Sequence, residues 1–418
     1  MRIAVIGSGI SGLSAAWLLR QRHEVILYEA AGYLGGHTNT VDVQLDGVSH
    51  PVDTGFLVHN DLTYPNLIRL FEHLGVESYE SDMSFSVRLP DQDIEWAGSN
   101  IATVFGQKRN LLRLHFWRML QEIIRFNSRA AQMLQWSEQR RATLGDLLER
   151  RGYSASFRDW YLLPMAAAIW SASPWEILRF PAATFLRFCL NHRLLQVDGR
   201  PQWRSIVGGG RSYVQKMASG LDVRLNQPVR EVVRGEGVVR VLSRDGSAEY
   251  DAVVFATHAP DTLRLLKQPD PRETEILGAL RYQPNQAILH TDRRFLPRRE
   301  NLWSAWNYLS VRDESRSVCV TYLLNRLQRL PFETPLMVTL NPPPDLMPHN
   351  EIARFNYDHP VFDQEAIDAQ VRLGGIQGNR RSWFCGAWSG YGFHEDGLKS
   401  ALRIAGDFGV EAPWPVVL

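Results

Sequence analysis

A short apolar strand followed by a glycine-rich turn opens the chain, and it constrains the fold more than any other feature. Arg2–Ile6 is a largely apolar, partly β-branched run that suits a buried parallel strand. Gly7, Gly9 and Gly12 follow with the spacing G-x-G-x-x-G. Glycines in this pattern allow a tight turn, a close approach of the backbone to a pyrophosphate group, and close packing of the next helix on the strand.

The residues after the glycine turn complete a strand–helix–strand unit. The pattern predicts a helix from about Ser11 to Arg22 and a second strand over Glu24–Tyr28, which ends at Glu29. A helix N-terminus offers N–H groups and a positive dipole end to phosphates. Glu29 lies roughly 20 residues after the first glycine, where an acid accepts hydrogen bonds from an adenosine ribose. We therefore predict a dinucleotide site; the alternative is a glycine-rich turn in an unrelated α/β fold.

A second glycine cluster indicates which dinucleotide is bound. The run Ala30–Thr38 contains Gly35 and Gly36, and a further tight turn surrounds Gly55 and Phe56. Glycines let a backbone approach a bound ligand. NAD-dependent dehydrogenases usually continue at this point into another βαβ unit. The glycine turns therefore favour FAD over NAD.

These motifs together resemble the flavin amine oxidase superfamily, which includes monoamine oxidases, protoporphyrinogen oxidase and the phytoene desaturases. The family opens with a dinucleotide fingerprint, an acid and a Gly-Gly-Arg turn; here Gly35-Gly36-His37 replaces the Arg, which would help to hold pyrophosphate. The runs L-G-G-H-T and A-I-W-S also resemble a group of bacterial predicted NAD/FAD-binding proteins. Those proteins are often encoded near cyclopropane-fatty-acid-synthase-like methyltransferases.

Two later segments extend the resemblance. Residues 228–257 are similar to the family's second contribution to its FAD domain, in which backbone groups near Val229 would contact adenine. Residues 383–401 are similar to its C-terminal strand, turn and helix, whose N-terminus points at flavin N1 and O2. A helix N-terminus stabilises the negative charge that reduced flavin carries there. The family commonly has Gly-Asp where this chain has Gly386-Ala387, so that Asp contact is absent or is made by another group.

The resemblance implies a set of FAD contacts and their non-covalent nature. Monoamine oxidases carry a flavin-linking cysteine in the C-terminal turn, and residues 389–393 contain none. We therefore expect FAD to be bound non-covalently. The implied contacts are Gly7, Gly9, Ser11, Gly12, Glu29, Ala30, Gly35, Gly36, His37, Thr38, Gly55, Phe56, Val229, Ala256, Gly386, Glu395, Gly397, Leu398 and Ser400.

The order of these segments predicts a discontinuous α/β fold. We expect a Rossmann-like FAD-binding domain of the GR2 type with an inserted α+β substrate domain. The FAD-binding domain would take residues 1–75, 205–260 and 375–418, and the substrate domain residues 76–204 and 261–374. A chain of 418 residues is long enough for two or three domains.

The substrate region contains two ambiguous segments. Residues 161–175 are apolar with two prolines, and predict either a hydrophobic substrate cavity or ordinary core. Residues 110–135 form an amphipathic helical pattern rich in arginine and aromatic residues. Such a helix can lie on an anionic membrane. The interpretation that we favour is a substrate-domain helix with a solvated arginine face.

Catalytic side chains are weakly indicated, because the flavin itself performs the chemistry. Amine oxidases usually place a lysine near flavin N5, and the corresponding stretch here, residues 283–290, has none. Lys267 lies too early in the chain. Tyr391 and His394 adjoin the flavin helix and are our candidates, with ordinary packing as the alternative for both.

Composition limits the partners and the location. The formal net charge is +1, which gives no overall field for nucleic acid. The three cysteines are too few for a disulfide framework or a zinc site, and no pair of histidines has metal-site spacing. With no signal peptide and no run of about 18 apolar residues, we expect a cytoplasmic protein. Contact with the inner face of the membrane is the alternative.

Three functions are consistent with the sequence. The first is an FAD-dependent oxidoreductase that takes hydride from a hydrophobic, fatty-acyl or isoprenoid-like substrate. The second is a flavin amine oxidase that releases hydrogen peroxide. The third is a non-catalytic flavoprotein partner of a lipid-modifying enzyme. The missing lysine and the apolar insert favour the first.

Overall fold

The computed structural model describes residues 1–196, 199–310 and 318–418. The α-helices of this part of the chain are α1 (Ile10–Leu19), α2 (Pro65–Leu74), α3 (Ile101–Val104), α4 (Leu114–Arg140), α5 (Leu144–Arg150), α6 (Ala155–Phe157), α7 (Leu163–Trp170), α8 (Pro174–Arg179), α9 (Ala182–Asn191), α10 (Arg211–Ala218), α11 (Ala259–Leu265), α12 (Pro271–Gly278), α13 (Leu324–Leu327), α14 (Gln364–Arg372) and α15 (His394–Asp407).

The β-strands of the same residues follow in chain order. They are β1 (Arg2–Ile6), β2 (Glu24–Tyr28), β3 (Thr40–Leu45), β4 (Val48–Asp53), β5 (His59–Asn60), β6 (Ser78–Glu80), β7 (Phe85–Leu89), β8 (Ile94–Ala97), β9 (Trp203–Ile206), β10 (Asp222–Arg224), β11 (Glu231–Arg234), β12 (Val239–Ser243), β13 (Gly246–Tyr250), β14 (Ala252–Phe255), β15 (Tyr282–Gln283), β16 (Gln286–His290), β17 (Trp306–Leu309), β18 (Cys319–Leu323), β19 (Met337–Leu340), β20 (Glu351–Asn356), β21 (His359–Pro360) and β22 (Ser382–Phe384).

A five-stranded parallel sheet is assembled from three distant stretches of the chain. Its strand order is β10-β2-β1-β14-β22. The central strand β1 is buried from Ile3 to Ile6 and pairs in parallel with β2 and β14. Burial on both faces explains why its sequence is continuously apolar rather than alternating. The predicted first strand, helix and second strand are all present.

Helix α1 ends earlier than its sequence pattern predicts. It stops at Leu19 rather than near Arg22. The Gln21 N–H donates to the Leu18 carbonyl and the Arg22 N–H to the Leu19 carbonyl, so the chain turns back towards β2. All residues of α1 are buried, because β1 covers one side and α15 the other.

A seven-stranded sheet forms the second layer of the molecule. Its order is β20-β16-β19-β18-β17-β7-β8, with antiparallel pairs throughout except β7 beside β17. The strands β7 and β8 form an antiparallel pair at one edge of this sheet. This sheet draws on residues 85–97 and 286–356, so the two large sheets are built from separate parts of the chain.

Helices from residues 110–190 pack against the second sheet. A 3-10 turn, Lys108–Leu112, precedes the 27-residue α4. The predicted helix therefore begins later and extends further than its pattern indicates. Residues 161–175 form part of a π-helical turn, α7 and the start of α8, with most side chains of α7 buried.

Candidate functional site

The crevice at the carboxyl ends of β1 and β14 is the natural place for a ligand. From β1 the chain passes through α1 to β2 on one side, whereas β14 lies on the other side, so the strand order reverses here. Open α/β sheets bind ligands at such switch points. Gly7, with φ of 97°, lies at the end of β1 and its missing Cβ would fall 2.9 Å from the Ala256 carbonyl oxygen.

Gly12 and Gly9 have different surroundings although both belong to the fingerprint. A Cβ on Gly12 would lie 1.9 Å from the Gly7 carbonyl oxygen, so Gly12 is required for helix packing. A Cβ on Gly9, the N-cap of α1, would meet no atom within 4 Å. Gly9 therefore leaves the N-terminus of α1 open to a ligand, which suits a phosphate group.

The second glycine turn lies directly against the first. The Gly35 N–H donates to the Ser8 carbonyl oxygen at 3.1 Å, and a Cβ on Gly36 would lie 3.2 Å from the Cα of Gly9. Gly55 packs as closely, because its Cβ would fall 2.1 Å from the His37 carbonyl oxygen. Glycine clusters that are distant in sequence thus line one crevice.

Glu29 joins these turns at the end of β2. Its carboxylate accepts from the Ser8 N–H at 3.0 Å, the Ser8 hydroxyl at 2.6 Å and the Ala31 N–H at 2.8 Å. The Gln227 N–H donates to the Glu29 carbonyl oxygen at 2.9 Å, which places Val229 two residues from this contact. The predicted ribose acid and the predicted adenine segment therefore lie side by side.

His37 is half-buried at the centre of an aromatic and histidine cluster. Its ring centroid lies 6.0 Å from that of His258, 5.0 Å from Tyr357 and 5.6 Å from His359. Burial and the neighbouring histidines hold the pKa of His37 well below its usual value, so the ring is uncharged at neutral pH. Its Nε2 atom is buried with no hydrogen-bond partner among the described residues. Buried polar atoms are rarely left unpaired, so this atom fits a ligand group.

The N-terminus of α15 packs against that of α1. A Cβ on Gly397 would lie 2.7 Å from Ile10 Cγ2 and 2.8 Å from Ser11 Oγ. Leu398, beside Gly397, is buried in the same core. The first turns of both helices therefore meet beside the switch point, and both present positive dipole ends there.

Two of the predicted contacts have side chains that are already engaged. The Glu395 carboxylate accepts from the backbone N–H groups of Asn66 and Leu67, at 3.1 and 3.0 Å, at the start of α2. The Ser400 hydroxyl donates to the Gly397 carbonyl oxygen at 2.6 Å and accepts from the Gly386 N–H at 3.1 Å. These side chains hold α15 in place. The backbone N–H of Glu395, in the first turn of the helix, is left for a ligand contact, whereas that of Ser400 lies in the helix interior.

His394 brings together predicted residues from three parts of the chain. Its ring stacks on Phe56 with centroids 3.5 Å apart, and its Nε2 lies 2.8 Å from the Thr38 hydroxyl. The Tyr213 hydroxyl is 2.6 Å from that of Thr38. Burial lowers the pKa of His394 to about 3, so it is an uncharged hydrogen-bonding group at neutral pH.

Aromatic side chains stand next to the N-terminus of α15. Phe188 of α9 lies 5.2 Å from Phe393 and 5.6 Å from Tyr391 between ring centroids, and 4.7 Å from Trp170. We call Trp170, Phe188, Tyr391 and Phe393 the aromatic wall. Trp388, a further aromatic residue of the same turn, is buried in the core, where its Nε1–H donates to the Thr257 carbonyl oxygen at 3.2 Å.

The glycine run at residues 208–210 is a tight structural turn. The Gly210 N–H donates to Asp53 Oδ1 at 2.9 Å, and a Cβ on Gly209 would lie 2.6 Å from Thr40 Cγ2. Burial raises the pKa of Asp53 to about 6 despite hydrogen bonds from Thr40 and Gly210. The turn therefore fixes α10, and with it Tyr213, against the crevice.

Several site residues escaped the sequence analysis. His258 follows β14 closely, so its position after a strand end was a usable signal. Phe188, Tyr213 and Tyr357 reach the site only through long-range packing, and no local pattern marks them. Within the described residues, no group of three or more His, Cys, Asp or Glu side chains is arranged to hold a metal. Cys189, Cys319 and Cys385 are free and buried.

Comparison with known families decides what this crevice holds. A family model for flavin containing amine oxidoreductases matches residues 10–330, well over half of the chain. The chain belongs to this family. The predicted family, fold class and FAD cofactor are thereby confirmed.

Individual relatives differ in their reactions. The 15-cis-phytoene desaturase of Synechococcus elongatus is 28% identical over 301 residues, covering 64% of this chain and 59% of that protein. Polyamine oxidase 2 of Arabidopsis thaliana is 25% identical over 339 residues, covering 77% and 64%. The chain therefore spans less than two-thirds of the length of these curated relatives.

A solved structure shares the fold over nearly its whole length. The fatty acid isomerase of P. acnes that produces CLA superposes with a TM-score of 0.70 at 14% identity, covering 98% of this chain and 99% of that one. At this identity the likeness concerns the fold alone. The open helix end at Gly9, the Glu29 carboxylate and the unpaired Nε2 of His37 are groups that could receive a phosphate, a ribose and a polar ligand atom, so this chain's residues fit the cofactor.

Proposed function

We propose that the protein is an FAD-dependent oxidoreductase that removes hydride from an apolar, fatty-acyl- or isoprenoid-like chain. The observation that carries the proposal is the aromatic wall beside the N-terminus of α15. Its members lie 4.7–5.6 Å apart between ring centroids and come from α7, α9 and the turn before α15. Side chains of this type bind hydrocarbon through the area that they remove from water.

The charged groups near the wall are paired. The Arg187 guanidinium contacts Glu138 at 2.5 Å, and the Asp396 carboxylate accepts from the backbone N–H groups of Tyr391 and Phe393 at 3.0 Å. These pairs neither favour nor exclude an alkylammonium group, so the substrate class rests on the apolar side chains.

Lysine placement agrees with this substrate class. Lys267 is paired with Glu231 at 3.1 Å, and Lys216 donates to the carbonyl oxygens of Leu74 and Gly75. The strand β16 lies in the stretch that corresponds to the lysine position of amine oxidases, and it has no lysine. The desaturase relative supports the proposal, and the polyamine oxidase relative supports amine oxidation, so the substrate class rests on the wall.

The chain's own residues would bind and orient the substrate and shield it from water. The wall would exclude water from the reacting carbon, and the N-terminus of α15 would stabilise negative charge next to it. His394, uncharged at neutral pH, would serve as a fixed hydrogen-bonding group between Phe56 and Thr38. FAD, when bound, would supply the hydride acceptor for the substrate carbon.

Anaerobic reduction of the holoprotein tests the substrate class. We expect the flavin absorbance near ~450 nm to bleach with acyl or isoprenoid chains and to persist with a panel of amines. Reduction by amines with peroxide release in air, and none by lipids, would overturn the proposal in favour of an amine oxidase. A flavin that no member of either panel reduces would overturn it in favour of a non-catalytic flavoprotein.

A pair of variants links the reaction to the wall. Tyr391→Ala opens the wall, and we expect the rate of reduction by the best lipid to fall at least about tenfold, with the FAD content unchanged. Trp175→Ala removes a half-exposed aromatic residue of α8 that stacks under Arg179, outside the wall, and should leave the rate as it is. Equal rates in both variants would contradict the role of the wall.

A further inference from the structure

The segment that joins α3 to α4 exposes large apolar side chains. Ile101 is 80% exposed, Leu112 is 87% exposed and Leu114 is 85% exposed. Ordinary soluble surfaces contain single exposed apolar residues but rarely contiguous ones. Within the described residues, no helix is both long and apolar enough to cross a bilayer. Any contact between this patch and a membrane would be made at the membrane surface.

The exposed side of α4 carries apolar side chains near its N-terminus and mainly polar ones further along. Leu114, Trp117 (43% exposed) and Ile124 (71% exposed) recur at helical spacing on the side opposite the buried Phe116 and Met119. Further along the same side the exposed residues are Ser128, Ala131, Gln132 and Gln135. The apolar side chains of the outward face are therefore confined to its first three turns, where the exposed Gln121 lies among them, and they follow directly on the exposed Leu112.

Basic side chains predominate in this segment, although Arg113 is also paired with Asp93 and Arg118 with Glu122, each at 3.4 Å. Residues 96–121 contain Lys108, Arg109, Arg113 and Arg118 and no Asp or Glu. Arg109 is paired with Asp93 at 2.8 Å, and the Arg113 guanidinium donates to the Asp93 carbonyl oxygen at 2.7 Å, so both are fixed beside the apolar side chains.

A basic cavity adjoins the patch through the same Asp93. It has a volume of about 240 Å³ and is lined by Arg88, Arg298 and Arg299 together with Asp93 and Glu95. Glu95 is occupied by Arg299 at 2.6 Å and by the Arg298 N–H at 2.8 Å. Further arginine side chains therefore lie near Asp93, the residue that pairs with Arg109.

We propose that the face formed by Ile101, Leu112, Leu114, Trp117 and the surrounding basic residues docks on an anionic lipid surface. Apolar side chains would enter the boundary between headgroups and acyl chains while lysine and arginine contact lipid phosphates, as interfacial helices do. The Trp117 Nε1–H donates to the Leu111 carbonyl oxygen at 2.9 Å, which holds the ring at the rim, where tryptophan is favoured. A second copy of the chain is a poor occupant, because two such faces would bring like charges together. The proposal does not depend on the substrate class.

Vesicle co-sedimentation of the FAD-loaded full chain tests the docking face. We expect binding to phosphatidylcholine mixed with phosphatidylglycerol, weak binding to phosphatidylcholine alone, and loss of binding at high salt. The double substitution Leu112→Glu/Leu114→Glu should weaken binding about tenfold or more, since each leucine loses its burial in lipid. Both side chains are exposed, so the fold should survive. Val371→Glu, at an 83% exposed valine of α14, is the matched control and should bind as the unaltered chain does.

The contributions of charged and of apolar side chains to vesicle binding can be measured separately. Lys108→Gln/Arg109→Gln should weaken binding to the anionic vesicles by about fivefold per residue and leave the residual binding to neutral vesicles unchanged. Equal binding to neutral and anionic vesicles, equal loss in Val371→Glu, or no binding at all would overturn the proposal. Self-association that the leucine double variant abolishes would overturn it in favour of a second copy of this chain.

Discussion

The two large sheets bury their cores in different ways, and the difference determines what their sequences reveal. The parallel sheet holds its strands and helices together by glycine contacts such as that of Gly12, where a Cβ would lie only 1.9 Å from the Gly7 carbonyl oxygen. The seven-stranded sheet, whose strands likewise come from distant parts of the chain, is joined instead by side-chain hydrogen bonds between strands. Asn307 of β17, for example, accepts from the Ser86 hydroxyl of β7 at 2.7 Å and donates to the Thr321 carbonyl oxygen of β18 at 3.1 Å.

The largest expected effect comes from Gly12→Val. The added side chain would overlap the Gly7 carbonyl oxygen and the Ala256 side chain, which are fixed by the sheet. We expect a loss of more than about 4 kcal/mol in the free energy of unfolding, which leaves little folded protein. Chemical denaturation of whatever soluble protein is recovered measures the loss. A Gly12→Val protein as stable as the unaltered chain would show that glycine packing is not what holds this half together.

Acid should destabilise both the crevice beside the parallel sheet and the seven-stranded sheet. Burial lowers the pKa of His290 in the second sheet to about 4 and of His394 in the crevice to about 3, and the pKa of His37 is lowered well below its usual value. The unfolded chain binds protons at these histidines below about pH 6.5 and the folded chain does not, so stability is present above that pH and lost as the pH falls towards 4. Asp53 and Asp396, with the pKa of each raised by burial to about 6, act in the opposite direction but are fewer.

Urea unfolding at pH 7 and pH 5 checks this balance. We expect the free energy of unfolding to be lower at pH 5 by about 3 kcal/mol or more, because several buried histidines contribute. The buried histidines whose pKa is lowered by desolvation include His37, His59, His192, His290, His359 and His394. Equal or greater stability at pH 5 would show that the buried carboxyls dominate.

A smaller effect is expected from Asn307→Ala in the second sheet. It leaves the Ser86 hydroxyl and the Ser304 N–H without their acceptor in a buried site, which costs about 2 kcal/mol. FAD content should not change, because no residue of the crevice is touched. Asn379→Ala, at an exposed asparagine, is the control and should shift stability by less than about 0.5 kcal/mol. Loss of FAD from the folded Asn307→Ala protein would show that the two halves are not independent.

The smallest effect on folding, and the most specific effect on function, is expected from Gly9→Val. It carries the same new side chain as Gly12→Val, but at a position where a Cβ has no atom within 4 Å. The fold should lose at most about 1 kcal/mol through the poorer N-cap, while FAD affinity falls about tenfold or more. Titration of the apoprotein with FAD measures the affinity. Unchanged affinity would place the cofactor away from the N-terminus of α1.

The sequence predicted the site residues that belong to a local pattern and missed those that tertiary packing brings in. Gly7, Gly9, Gly12 and Glu29 act through local backbone geometry, so their spacing was sufficient to predict the first strand, the first helix and the dinucleotide crevice. Phe188 and Tyr213 enter the site through tertiary packing of α9 and α10, for which a single sequence carries no local signal.

The sequence predicted the presence of these helices more accurately than the residues at which they begin and end. The amphipathic pattern from residue 110 was correct in type, but Lys108–Leu112 forms a 3-10 turn and α4 runs on to Arg140. Periodicity marks the buried stripe of a helix, whereas its ends depend on which backbone groups find partners outside the helix.

The central claim is that this crevice binds one FAD without a covalent bond, and the visible spectrum of the purified protein tests it most directly. We expect flavin bands at about 370 and 450 nm and, after denaturation and filtration, about one FAD per chain in the filtrate. A colourless protein that cannot be reconstituted with FAD would contradict it. Colour that stays with the denatured chain would contradict the non-covalent bond and direct attention to His37 and Cys385.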